Sequence, residues 1–243
     1  MDWFPRFLFL TALGCLAAAQ VAPKREIGGY FHRFMAWTAF FFAASALAVR
    51  RAPDPALIGA TALAIVSWIA GRTSRDARAL MAAGLAVVAG IFVWGGPKDV
   101  GPLAQGLASG AFIGATLTAM IAGHFYLNNA RLPFGILVNL CRLVLVAGAV
   151  TLAVSLVLFF TSTDPFGRLE RMFERGAVLE TMLPLVRVLA GGVFALALAW
   201  MALSCAKIRS NQSATGILYA LVGVVLIGEM ASHYMTIRIG FAI

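Results

Sequence analysis

Residues 134–161 read FGILVNLCRLVLVAGAVTLAVSLVLFFT. A helix needs ~20 predominantly apolar residues to cross a bilayer core, and this run exceeds that. Arg142 is its one charged residue. Leu, Val and Ala follow one another without the apolar–polar alternation of a barrel strand, so the run predicts a helix. Water is missing inside the hydrocarbon, and the backbone must bond to itself, which a helix does within one segment.

Working outward from this run, the same pattern recurs on both sides. Apolar stretches at 4–21, 31–49, 56–70, 77–94, 103–124, 134–161, 179–206 and 213–239 predict an all-α polytopic transmembrane bundle of about eight spans. They form one integral membrane domain over 1–243. Pro23 with Lys24-Arg25, Arg50-Arg51 with Pro53 and Pro55, and Gly95-Gly96-Pro97 punctuate the loops. The run 7–21 ends in Ala17-Ala18-Ala19-Gln20, which resembles a signal-peptide cleavage site; we expect a retained first span instead.

Composition agrees. Hydrophobic residues make up 61% of the chain and charged residues 12%. A soluble domain carries about 25% charged residues, enough for a polar surface that this chain does not have. The net charge of +9 invites a nucleic-acid reading. The basic residues sit almost entirely between apolar runs, as in loops facing lipid headgroups, so the expected partner is the bilayer and not nucleic acid. They divide nearly evenly between the two faces, which leaves orientation open. We call the face where the chain starts face A and the opposite one face B.

The connection after 134–161 is different. Asp164-Pro165 is a helix start signal, and Phe166, Leu169, Met172 and Phe173 recur at helical spacing among Arg and Glu residues. A short amphipathic helix over about 164–176, lying in the membrane interface or against a partner, is expected.

Ionisable groups within spans are expensive and point to function. Near face B, His32, His124, Tyr126, Asn128 and Arg142 form one candidate cluster, densest in the segment Gly123–Gly135. Nearer face A, Arg187, Glu229 and His233 form a second. Glu229 and His233 are four apart on one helical face, and Arg187 lies at a depth where it can pair with Glu229. Each has a plainer reading. The histidines can sit at the interface, the arginines can snorkel, and the Arg187–Glu229 pair can simply fix helix packing.

Either cluster has the residue types for a quinone site: hydrogen-bond partners for the ring oxygens, with aromatics around them. Haem b needs two facing histidines at one depth, and His32 with His124 is the sole pair near the same face. Ion or proton movement through Arg187, Glu229 and His233 is a third chemistry, although one carboxylate in the interior makes a short chain. Cys15, Cys141 and Cys205 lie in apolar runs and form no C-x-x-C pair, so zinc, iron–sulfur and covalent haem motifs are absent. Glu229 and His233 alone supply no evident third metal ligand, and hydrolase and nucleotide motifs are missing.

Several short segments carry a family resemblance. VAPKREIGG at 21–29 follows the first span, GHFYLN occupies 123–128, SATGILY occupies 213–219, and Gly228-Glu229 follows in the last span. In this order they resemble the multi-span anchor subunits of bacterial oxidoreductases of the DMSO-reductase and polysulfide-reductase types. The resemblance covers the architecture of the whole chain. It implies about eight spans in a bacterial inner membrane, a quinone handled by the anchor, and catalysis by a separate redox subunit. No family quinone residue maps onto a position here. The expected function is thus a non-catalytic anchor of a quinone-linked complex. A small carrier or ion-coupled permease, and a structural assembly subunit, are the alternatives.

Overall fold

The structure is a computed structural model that describes residues 3–49, 55–73, 77–95, 100–129, 132–162, 167, 170 and 178–236. Every regular element among them is helical. They are α1 (Trp3–Ala19), the single turn α2 (Lys24–Ile27), α3 (Gly29–Val49), α4 (Pro55–Arg72), α5 (Ala77–Gly95), α6 (Val100–Asn128) and α7 (Gly135–Thr161). After them come α8 (Val178–Leu185), a π-helical segment (Val186–Phe194), α9 (Ala195–Lys207) and α10 (Asn211–Tyr234). The amphipathic helix expected over 164–176 lies outside the described residues, apart from Gly167 and Glu170.

The polytopic membrane bundle is therefore present. Five helices among the described residues are long and apolar enough to cross a membrane: α3, α6, α7, the continuous stretch Met182–Lys207, and α10. Shorter apolar helices, Phe4–Ala19, Ile58–Arg72 and Ala77–Ala86, stand where three further spans were expected.

Contacts order the bundle. α3, α4 and α5 pack as consecutive neighbours, and α1 inserts between α3 and α6. On the other side of α1, helices α6, α7, α9 and α10 close a ring in which each touches the next. α6 is the axis: 78% of its span is buried, against 22% for α7, whose outer face is left to lipid.

Two glycine contacts set the closest approaches. A Cβ on Gly14 of α1 would collide with the Gly110 backbone of α6, and one on Gly114 would collide with Gly14. Between the π segment and α10, a Cβ on Gly228 would run into the Gly191 backbone. Association in lipid gains little from hydrophobic exclusion and depends on such close packing. The spacing Gly106, Gly110, Gly114 on α6 is legible in the sequence as a small-residue stripe.

The π segment follows Pro184. Proline lacks the N–H of the helical ladder and its ring crowds the carbonyl four residues earlier. The wider pattern continues to Ala195, whose N–H reaches back to the Ala190 carbonyl. This stretch presents both Arg187 and Gly191 to α10, against Glu229 and Gly228 respectively. Wide turns of this kind recur at functional sites.

Candidate functional site

The polar groups of the α6–α7–α9–α10 ring meet in one buried layer toward face A. Arg187 is 2% exposed and Glu229 fully buried. The Arg187 guanidinium donates through one Nη to Glu229 Oε1, forming an ion pair. Ser109 on α6 donates its hydroxyl to Glu229 Oε2. Both carboxylate oxygens are thereby engaged, from two different helices.

The other Nη of Arg187 donates to Ser155 Oγ on α7 at 2.9 Å. Ser155 in turn donates to Gln105 Oε1 on α6 at 3.2 Å. The Gln105 amide donates to Ser232 Oγ on α10 at 3.2 Å. One chain of hydrogen bonds thus links α6, α7, the π segment and α10. An uncompensated charge at this depth is strongly unfavourable, and a paired, fully bonded one is tolerated. The expected Arg187–Glu229 pair is present. The sequence reading missed Gln105, Ser109, Ser155 and Ser232. Their only signal is a neutral polar residue inside an apolar run, which small packing residues share.

His233 closes the A-face site without joining this chain. Its ring is 6% exposed and meets Phe7 of α1 edge-to-face at 5.4 Å. The edge carrying Cε1 lies beside Gly106 of α6, where that helix has no side chain. Nε2 has no hydrogen-bond partner, a condition shared among the buried side-chain nitrogen and oxygen atoms of the described residues only by Ser67 Oγ and Asn211 Oδ1. Buried polar atoms are nearly always bonded, so an orphaned ring nitrogen suggests a missing partner.

The residues expected near face B do not form one pocket. His32 is fully buried, and its ring nitrogens face two backbone carbonyls, Ala22 at 3.0 Å and Gly28 at 3.4 Å. It fastens the turn between α1 and α3, where Gly28 takes φ +89°, a conformation that favours glycine. His124 is exposed and its Nδ1 lies 3.2 Å from the Tyr219 hydroxyl of α10. Phe31 and Phe125, the neighbours of the two histidines, meet edge-to-face at 5.6 Å. Both ring nitrogens of His32 face carbonyls, and it would have to release one to ligate a haem iron; the Tyr219 contact of His124 involves Nδ1 alone. The pair therefore does not fit the bis-histidine haem expected of it.

The rest of that group is equally dispersed. Tyr126 is buried and donates to the Pro133 carbonyl, closing the α6–α7 connection. Asn128 is exposed at the end of α6. Arg142 is exposed on α7 and donates to Asn139 Oδ1 at 3.2 Å, one turn earlier. Among the described residues no group of three or more His, Cys, Asp or Glu side chains is placed to hold a metal ion.

The A-face layer can thus hold helices in register and offer one imidazole nitrogen to a hydrogen-bonding ligand. No known protein family, curated protein or solved structure matches the chain.

Proposed function

We propose that the chain is a non-catalytic membrane subunit of a quinone-linked electron-transfer complex, and that His233 is the residue that meets the quinone. The observation that carries this reading is the orphaned Nε2 of His233 at 6% exposure. A quinone oxygen is a suitable acceptor for an imidazole N–H. The Phe7 ring supplies an apolar wall, and Leu10 Cδ1 and His233 Cε1 both lie over the bare backbone at Gly106. Aromatic surfaces with one or two placed polar groups are the usual make-up of a small-molecule site. The segments that resemble bacterial oxidoreductase anchors support the same reading, and with it a bacterial inner membrane and redox partner subunits.

The proposal includes eight crossings. Its support is that α4 packs along both α3 and α5, and α1 lies against α3 and the central α6. At 1.5 Å per residue the 17 residues of α1 and the 18 of α4 reach roughly 26 Å, close to the ~30 Å hydrocarbon core. Mismatch of this size is absorbed by local thinning at modest cost.

The test is mild solubilisation, identification of co-purifying subunits and extraction of bound quinone. Redox subunits and quinone are expected with the wild-type chain. His233→Ala should lower retained quinone about tenfold, with subunit composition unchanged, since a buried hydrogen bond is worth on the order of 1 kcal/mol or more. A wild-type preparation with neither quinone nor a redox partner sinks the proposal.

A second role fits the Arg187–Glu229 chain itself. Ser109 bonds Glu229, and Ser155 links Arg187 to Gln105, so the pair ties three helices together, as a device for fixing helix register would.

A further inference from the structure

Outside the A-face layer, the chain has a groove of about 610 Å³ near face B, between the end of α1, the α2 turn and the start of α5. Lys24, Arg25 and Arg78 line it, against one carboxylate, Glu26, giving a net charge of 3 − 1 = +2. Arg78 is held in place: its Nη2 donates to the Gln20 carbonyl at 2.8 Å and its Nε lies 3.4 Å from Gln20 Oε1. Holding the guanidinium in advance lowers the entropy lost when it binds an anion.

We infer that this groove binds the headgroup of an anionic phospholipid. Three features favour a lipid over other anions. The groove lies where α1 ends and α5 begins, at the water-facing ends of two apolar helices. Its wall on α5 is made by Ala79 and Ala82, exposed and on one helical face. These small side chains lead from the cations along the apolar helix, a path for the glycerol and acyl chains. Basic residues at the membrane surface attract anionic lipid individually, and here the fold gathers three around one concavity. The inference is independent of the quinone proposal, since no residue is shared.

The test uses the full chain in mild detergent. Its thermal unfolding midpoint is followed while phosphatidylglycerol, phosphatidylcholine or sodium phosphate is added at fixed ionic strength. The comparison is the Lys24→Gln/Arg25→Gln double variant, which leaves the Arg78–Gln20 contact intact. Phosphatidylglycerol should raise the midpoint and phosphatidylcholine should not. The double variant should bind phosphatidylglycerol about thirtyfold more weakly, the loss of two surface cations. An equal response to phosphatidylcholine, or an unchanged response in the double variant, overturns the inference. Phosphate alone reproducing the shift would make this a free-anion site and overturn the lipid assignment. Should the double variant not fold, native mass spectrometry of the wild-type chain decides. Retained phosphatidylglycerol in preference to phosphatidylcholine supports the site, and no preference overturns it.

Discussion

The two polar regions of this bundle look alike in sequence and behave oppositely in the fold. Toward face A, Arg187 and Glu229 come from separate helices and meet with no solvent access. Toward face B, His32 turns to backbone carbonyls, Arg142 to a residue one turn away, and His124 stays exposed. The difference is one of depth and of local alternatives. A side chain near a helix end can reach the interface or a frayed carbonyl. A carboxylate inside α10, with Gly228 before it and Met230 after it, has no such escape and requires a cation from another helix.

The largest effect should come from splitting the A-face pair. Arg187→Met leaves Glu229 buried and uncompensated, and should destabilise the bundle by about 3–5 kcal/mol. Arg187→Met/Glu229→Met removes both charges and should recover most of that loss. Reversible unfolding in mixed detergent measures both. A single variant as stable as the double would mean that the pair is not buried, and the contrast between the two faces would collapse.

Glycine substitutions sharpen the comparison within α10 alone. Gly228→Val forces a side chain into the Gly191 backbone and should lose about 1–3 kcal/mol or more by the same measurement. A Cβ on Gly216 or Gly223 meets nothing within 4 Å, so Ala there should be neutral or stabilise by up to about 1 kcal/mol. Equal outcomes at Gly228 and Gly223 would contradict the close helix approach.

The smallest effects belong to the B face. Arg142→Gln and His124→Gln should each change stability by no more than about 0.5 kcal/mol, because both side chains are exposed. A large loss at either position would mean that the dispersed residues act together after all.

Much of the molecule is legible in its sequence. The run 134–161 reappears as α7 over Gly135–Thr161, because a lipid-solvated helix is specified by its own residues. The sequence predicts a single span over 179–206. It contains a π segment after Pro184, within which Gly191 meets Gly228 of α10. Glu229 and Arg187 were identifiable by their cost in an apolar run, but Ser109, Ser155 and Gln105 were not. A neutral hydroxyl or amide can bond its own helix, and only a neighbour's charge gives it another role.

The sequence by itself determined that this chain is a bundle of membrane helices, and that a few costly polar groups lie within it. Apolar run length and charge depletion are local properties, and lipid reads them one helix at a time. Only the tertiary structure decided which helices adjoin, and hence which polar groups meet. That choice depends on close approaches such as Gly14 to Gly110 and Gly191 to Gly228, which no single segment encodes. It turned the A-face residues into one bonded layer beside a histidine whose Nε2 has no hydrogen-bond partner, and left the B-face residues as separate local contacts.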